Sequence, residues 1–82
     1  MRLEVLLFAA ARDAADRDRI CVEVGDAARA GDVIEAIGKR LPQLEPLLPS
    51  CRLAIDCAYV SAETIVTENS EEIALIPPVS GG

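Results

Sequence analysis

The chain has 82 residues, of which 51% are hydrophobic, with one Tyr, one Phe, no Trp and no His. This length suits one small domain with a single aliphatic core and excludes a deep catalytic pocket within the chain. The net charge of −6 and the scattered positions of the eight basic residues argue against nucleic-acid binding and favour a partner with a basic surface.

The three cysteines predict no metal site. Cys21, Cys51 and Cys57 form no C-x-x-C pair, and no His is available to complete a zinc site. We expect them to be reduced, small apolar residues of a cytoplasmic protein. We expect MRLEVLLFAAARDA to be the mature N-terminus rather than a signal peptide, because Glu4 interrupts a short apolar run. No stretch approaches the roughly 20 apolar residues of a membrane span.

Alternating hydrophobicity predicts two strands near the start of the chain. In RLEVLLFA, apolar residues fill one side and part of the other, which is typical of a central strand covered on both faces. AARDAADRDR is polar and alanine-rich and predicts a short helical turn or a loop. In ICVEV, Ile20, Val22 and Val24 alternate with other residues, which predicts a second strand that pairs with the first.

The segment GDVIEAIGKRLPQL predicts the main helix. Its apolar stripe at helical spacing consists of Val33, Ile34, Ile37 and Leu41. Asp32 as N-cap, followed three residues later by Glu35, predicts a capping box. Pro42 disfavours helical geometry at the residue before it, so the helix is expected to end there. Gly38 weakens a helix by about 1 kcal/mol relative to Ala.

The second half of the chain returns to the period of a strand. PQLEPLLPS predicts at most a short helical turn that directs its leucines inward. RLAIDCAYVS predicts two short strands around a turn at Asp56 and Cys57. AETIVTENS predicts a loop anchored by Ile65 and Val66, and EEIALIPPV predicts the last strand.

This order of elements predicts an α+β fold. Two strands, a helix and three more strands in so short a chain favour a mixed sheet of about five strands wrapped on one main helix, with a short second helical turn. This is the β-grasp, or ubiquitin-like, roll. We assign residues 1–76 to the domain and residues 77–82 to an extended, flexible tail that ends in Gly-Gly.

Four stretches resemble one family. VLLFAAARD, GDVIEAI, LAIDCAYV and IALIPPVSGG are similar to the small, sulfur-carrying subunits of molybdopterin synthase, within the ubiquitin-like superfamily, and PPVSGG is the most specific. The resemblance implies that Gly82 is adenylated, converted to a thiocarboxylate and used to donate sulfur to cyclic pyranopterin monophosphate in molybdenum cofactor biosynthesis. The cysteines would not carry this sulfur.

The resemblance also implies the partners. An adenylating enzyme similar to ubiquitin-activating enzymes would use ATP, a sulfur donor enzyme would supply sulfur, and the small subunit would bind no cofactor itself. The large subunit would bind the substrate in a heterotetramer with two copies of each subunit. The chain would act as the sulfur-donating half of this sulfurtransferase, without a catalytic pocket of its own and without binding nucleic acid or membrane.

The composition of the tail suits this chemistry. Gly81 and Gly82 lack a Cβ, so their backbone can approach the catalytic groups of a partner closely. Pro77 and Pro78 have no N–H and a fixed φ, so they end strand pairing and keep the chain extended. The tail is thus expected to be stiff where it leaves the domain and narrow at its end.

The resemblance further implies a docking surface for the large subunit. Phe8, Tyr59 and Ile76 match the apolar docking face of the family, and Arg12 matches a basic position after the first strand. The other predicted partner-binding residues are Pro77, Pro78, Val79 and Ser80. Phe8 is equally compatible with core packing, whereas an aromatic near a strand end, such as Tyr59, is more typical of a partner contact.

Three other functions fit a β-grasp domain that ends in Gly-Gly. The first is a sulfur carrier for thiamin synthesis, although such carriers are usually shorter and lack Pro-Pro-Val-Ser before the glycines. The second is a ubiquitin-like protein modifier or a carrier for tRNA thiolation. The third is a β-grasp interaction module with an inert tail, which would require no ATP.

Overall fold

The computed structural model describes residues 1–67 and 72–78, and in this part of the chain a five-stranded sheet packs against one long helix. The strands are β1 (Arg2–Leu7), β2 (Arg19–Glu23), β3 (Arg52–Ile55), β4 (Ala58–Val60) and β5 (Ile73–Ile76). The helices are α1 (Ala9–Ala15) and α2 (Ala30–Arg40), and two 3₁₀ turns follow at Pro42–Leu44 and Leu48–Ser50. No helix in these residues is long and apolar enough to cross a membrane.

The strands lie in the order β2-β1-β5-β3-β4. β1 and β5 are parallel, and the other neighbours are antiparallel. The predicted mixed β-grasp sheet is therefore confirmed, and so is the interior position of β1. The last strand of the chain, β5, lies in the middle of the sheet between β1 and β3.

The core lies between α2 and the face of the sheet that we call the inner face. Val33 and Ile37 of α2 are completely buried, as are Val5 of β1 and Leu75 of β5. Each such side chain contributes on the order of 1.5–3 kcal/mol to folding. Leu44 is also completely buried, as predicted for its segment.

The loop before β5 differs from the prediction in one residue. Val66 is completely buried and anchors the loop, and its N–H donates to the carbonyl of Ala28 at 2.9 Å. Ile65 was also expected to be an anchor, but 57% of its surface is exposed. Its backbone forms an isolated bridge with Arg29, and this pairing directs the side chain away from the core.

The start of α2 also differs from the prediction. The helix begins at Ala30, so Asp32 is in its first turn and is not the N-cap. The carboxylate of Asp32 accepts a hydrogen bond from the N–H of Arg29 at 2.9 Å. Glu35 makes an exposed ion pair with Lys39 at 3.6 Å instead of completing a capping box.

Backbone carbonyls from a distant loop satisfy the first N–H groups of α2. The N–H of Ala30 donates to the carbonyl of Thr64, and the N–H of Gly31 donates to that of Ala62, both at 2.8 Å. These bonds occupy donors that helix N-termini otherwise leave unpaired. The loop after β4 therefore holds the start of α2 in place.

The turn between β3 and β4 has the predicted position. Its central residues, Asp56 and Cys57, both have positive φ, 50° and 73° respectively, as a two-residue hairpin turn of type I′ requires. The carboxylate of Asp56 accepts a hydrogen bond from the N–H of Glu72, and the N–H of Asp56 donates to the carbonyl of Glu72, both at 2.8 Å. The turn is thereby fastened to the residue that precedes β5.

Candidate functional site

The candidate site is the outer face of the sheet, on the side opposite α2. The strand registers align one residue from every strand across this face. In spatial order, this row consists of Arg19, Leu6, Ala74, Ala54 and Tyr59. An apolar band therefore extends from β1 to β4 on a face that α2 does not cover.

The centre of the outer face is shallow because its residues are small. Ala54 and Ala74 lie opposite each other and are only 6% and 3% exposed, although they are outside the core cluster. Tyr59, next to Ala54 on the edge strand β4, is 60% exposed. A partner side chain could therefore pack against the ring of Tyr59.

A second row lies where β5 leaves the sheet. Ile76, which is half-buried, pairs with Arg52 of β3. On its other side, the register of β1 and β5 ends at the pair Leu7 and Leu75, and Phe8 is the next residue after β1. Phe8 is extended and 43% exposed, so it is a surface residue. The alternative of core packing for Phe8 is thereby excluded.

The predicted tail follows the end of β5, where Ile76 pairs with Arg52. β5 ends at Ile76, followed by Pro77, which is buried, and Pro78, which is exposed. Pro77 has no N–H to donate to either neighbouring strand, so strand pairing ends there. The chain thus leaves the domain from the middle of the sheet, beside the apolar outer face.

Not all of the predicted site residues come together. Phe8, Tyr59, Ile76 and Pro78 lie at the outer face or beside the beginning of the tail, whereas Arg12 lies on α1 in a hollow lined by charged residues of the segment from Arg12 to Asp18. Val79, Ser80, Gly81 and Gly82 lie outside the described residues.

The structure adds four residues that the sequence reasoning missed. Leu6, Ala54 and Ala74 form the middle of the apolar row, and Arg52 supplies a cation beside the beginning of the tail. Each alternates with a core residue in its strand, so the pattern that predicts the core also predicts the outer face. The strand order decides which of these residues become neighbours, and alternating hydrophobicity does not reveal the strand order.

The thiols differ in their exposure. Cys51 is buried, its thiol donates to the carbonyl of Leu47 at 3.2 Å, and burial raises the pKa of this thiol above its ordinary value. A raised pKa reduces the thiolate fraction and hence the nucleophilicity of Cys51. Cys57 is exposed in the turn between β3 and β4, and Cys21 is partly buried.

Comparison with known proteins identifies similar chains. The model of the ThiS family matches residues 5–82. The molybdopterin synthase sulfur carrier subunit of Chlamydomonas reinhardtii is 32% identical over 83 residues, covering all of both chains.

Solved structures are similar in fold. SAMP1 from Haloferax volcanii superimposes with a TM-score of 0.84 at 24% identity, with all of both chains covered. A chain in the complex of subunits 1 and 2 of the molybdopterin-converting factor from Helicobacter pylori superimposes with a TM-score of 0.67 at 23% identity, also over all of both chains. These likenesses confirm the ubiquitin-like β-grasp fold. The family match, which reaches from β1 to the final glycine, shows that the chain belongs to the ThiS family.

Proposed function

We propose that this chain is the sulfur carrier subunit of a molybdopterin synthase and acts in molybdenum cofactor biosynthesis. The observation that carries the proposal is the similarity over the full chain, Gly-Gly end included, to a molybdopterin synthase sulfur carrier subunit. The geometry supports it, because the residues that lead into PPVSGG leave the middle of the sheet beside an exposed apolar face.

Gly82 is the proposed site of sulfur attachment. A free carboxylate is a poor acyl donor, since its charge repels nucleophiles and oxide does not leave. Transfer of AMP from ATP to the carboxylate, with release of pyrophosphate, gives an acyl-adenylate. A sulfur nucleophile from a donor enzyme then displaces AMP and leaves a thiocarboxylate. In the final step the sulfur moves to the pyranopterin substrate, and an oxygen from water restores the carboxylate.

The described part of the chain serves this chemistry by positioning the tail. Pro77 and Pro78 separate the reactive end from the sheet and restrict the direction in which it leaves. A restricted tail loses less conformational freedom when it enters a partner's active site, which lowers the entropic cost of the encounter. The reacting atom would thus come from this chain, and the enclosing pocket from its partners.

The outer face is the proposed docking surface for the large subunit. Its apolar row, Tyr59 above all, has the composition typical of the buried centre of an interface. The Helicobacter pylori structure, which contains subunits 1 and 2 of a molybdopterin-converting factor, supports a partner of this kind. An arrangement of two small and two large subunits and an adenylating enzyme similar to ubiquitin-activating enzymes are part of the proposal.

Mass spectrometry of the modified chain tests the proposal. The chain is incubated with an adenylating enzyme of the ubiquitin-activating type, ATP and a sulfur source. We expect the mass increase for exchange of one oxygen for sulfur, located on the peptide that contains Gly82. Sulfur on Cys21, Cys51 or Cys57 instead would contradict the proposed site, and a reaction without ATP serves as the control.

A second assay identifies the acceptor. The thiocarboxylated chain is mixed with the large subunit and cyclic pyranopterin monophosphate, and molybdopterin is measured. Formation of the dithiolene product supports the proposal. Transfer only to a thiazole precursor, to tRNA or to protein lysines would instead support one of the alternative carriers or modifiers, and no transfer at all would support an inert module.

A further inference from the structure

A groove lies between α2 and the edge strand β2, on the inner side of the sheet and away from the outer face. We call it the β2 groove. Its lining consists of Val22 and Glu23 of β2, Ala36 of α2, Leu41 directly after α2, and three cations, Arg17, Lys39 and Arg40. Arg17 is far from Lys39 and Arg40 in the sequence, but the fold brings all three to the end of the groove where β2 begins and α2 ends.

Two of these cations lack a counterion within the described residues. Arg17 and Arg40 are exposed and have no carboxylate within 4.0 Å in that part of the chain, whereas Lys39 pairs with Glu35 at 3.6 Å. The groove continues into a second hollow lined by Asp32 and Glu35, and Glu23 and Lys39 line both hollows. The groove is therefore more positive near Arg17 and Arg40, although Asp16 and Asp18 lie close to Arg17, and more negative toward Asp32.

The backbone of β2 offers a row of hydrogen-bonding groups to this groove. The N–H of Leu7 donates to the carbonyl of Asp18 at 2.8 Å, and the N–H of Val24 donates to that of Met1 at 2.9 Å. Hydrogen-bonded pairs alternate along an antiparallel ladder, so the N–H and C=O groups of Arg19, Cys21 and Glu23 point away from β1. Since β2 is an edge of the sheet, no further strand in the described part of the chain pairs with them.

We propose that the β2 groove binds an extended segment of a partner protein, which adds to β2 as an antiparallel strand. Strand addition supplies the backbone hydrogen bonds, and alternate apolar side chains pack beside Val22 and Ala36. Because β2 runs from the positive end to the negative end, an antiparallel segment has its carboxyl end beside Arg17 and Arg40. The occupant is therefore a segment with carboxylates at that end and a cation at its amino end.

The charges favour a peptide over a nucleic acid. A phosphate backbone carries the same charge along its whole length, and it would meet Glu23, Asp32 and Glu35 at the far end of the groove. The chain as a whole also has a net charge of −6, which repels a polyanion. A segment of mixed charge matches both ends.

The β2 groove and the outer face lie on opposite sides of the sheet, so both can be occupied together. Tyr59 lies on β4, at the edge of the sheet opposite β2. A protein bound at β2 could therefore remain attached while the tail engages its own partner. This inference does not depend on the proposed sulfur chemistry.

The test uses the full chain and a synthetic peptide as probe. The peptide carries one lysine at its amino end, alternating valine and threonine in the middle and two glutamates at its carboxyl end, with both termini blocked. The matched control exchanges the lysine and the glutamates between the two ends. Binding is measured by NMR titration, and hydrogen exchange of the β2 amides is compared in the free and bound states.

We expect the probe to bind and to protect the amides of Cys21 and Glu23 from exchange, because these N–H groups gain carbonyl partners. The double variant Arg17→Glu/Arg40→Glu is expected to weaken binding by about tenfold or more. The variant Arg29→Glu, which makes half of that charge change outside the groove, is expected to keep the wild-type affinity. The variant Tyr59→Asp is likewise expected to bind the probe normally.

Three outcomes would overturn the inference. One is an exchanged-charge peptide that binds as tightly as the probe. Another is binding without protection of the Cys21 amide, which would indicate charge attraction without strand addition. The third is binding of a single-stranded oligonucleotide at Arg17 and Arg40 in the absence of any binding by the peptide.

Discussion

Gly38 of α2 faces Leu48 so closely that a Cβ added to the glycine would lie 2.7 Å from the Cδ1 of Leu48. A glycine in the middle of a helix costs about 1 kcal/mol relative to alanine. Here the missing Cβ leaves room for Leu48, so that the 3₁₀ turn at Leu48–Ser50 can pack against the helix.

The first prediction follows from this contact. Gly38→Ala forces Leu48 to move. In the wild-type background, the free energy lost by this displacement offsets the free energy gained from the higher helix propensity of alanine. In a Leu48→Ala background the same substitution should raise the free energy of unfolding by about 1 kcal/mol more than in the wild type. Denaturant unfolding of the four proteins of this double-mutant cycle measures the difference.

Gly25 provides the matched control. A Cβ at Gly25 would meet no atom within 4 Å, so Gly25→Ala should have the same effect in both backgrounds. Equal effects of Gly38→Ala with and without the Leu48 side chain would show that the two residues do not compete for space.

The second prediction concerns the outer face. Tyr59→Asp should leave the stability of the free domain almost unchanged, because the side chain is 60% exposed. It should weaken binding to the large subunit by about 2 kcal/mol or more, because the complex would bury an unpaired charge. Calorimetric titration measures the affinity, and thermal unfolding of the free chain measures the stability.

Ile65→Asp is the control for that experiment. Ile65 is 57% exposed, similar to Tyr59, but its backbone pairs with Arg29 and it does not belong to the outer face. We expect the Ile65→Asp variant to bind the large subunit with the wild-type affinity. If both variants bound the large subunit equally well, the outer face would not be the docking surface.

The third prediction separates the geometry of the tail from docking. If the tail enters the active site of the adenylating enzyme as proposed, Gly81→Ala adds a methyl group next to the catalytic groups. This variant should slow sulfur loading by orders of magnitude without weakening binding to the large subunit. Deletion of Gly82 should abolish sulfur transfer, because the acyl carbon would end roughly 3.5 Å short of its target. Loading is measured by mass spectrometry and docking by calorimetry.

The deletion variant provides a further check. It should still bind the large subunit and inhibit the intact carrier by competition. Molybdopterin formation with this variant at the rate of the full chain would exclude Gly82 as the site of sulfur transfer.

The fourth prediction concerns Cys51 at alkaline pH. Burial raises the pKa of its thiol in the folded state, so between the ordinary thiol pKa of about 8.5 and the higher folded value the folded chain holds more protons than the unfolded chain. Stability from this effect is fully present below the ordinary pKa and falls as the pH rises through this interval. Cys51→Ala should flatten the alkaline decline in the free energy of unfolding.

Cys57→Ala is the control, since it removes an exposed thiol that lies outside the core. In the wild type, a thiol reagent at neutral pH should modify Cys57 well before Cys51. Two results would contradict the role given to Cys51. One is faster modification of Cys51 than of Cys57, and the other is the same dependence of the unfolding free energy on alkaline pH in both variants.

Much of the fold could be predicted because its signals are local. Alternation located β1, β2 and β5, and helical spacing located the buried side of α2. The predicted start of α2 was wrong because distant residues satisfy two of its first N–H groups. Ala30 and Gly31 donate to the carbonyls of Thr64 and Ala62, which are far away in the sequence. The prediction that Ile65 anchors the loop was also wrong, because two adjacent apolar residues do not indicate which of them points into the core.

The candidate site was predictable only in part. Tyr59 and Ile76 followed from the family resemblance, whereas Ala54 and Ala74 look like ordinary strand residues until β5 is placed between β1 and β3. The meeting of Arg17 with Lys39 and Arg40 likewise depends on packing of α2 beside β2. The assignments of Gly81 and Gly82 stay predictions from the sequence, as does the boundary between domain and tail.

The central position of β5 has a mechanical consequence. A pull applied at Pro78, along the direction in which the chain leaves the sheet, would load β5 along its own axis between two neighbours. The hydrogen bonds to β1 and β3 would then share the force in shear, whereas a strand at the edge of the sheet could be peeled off one bond at a time. The domain is thus built to withstand traction on the segment that follows β5.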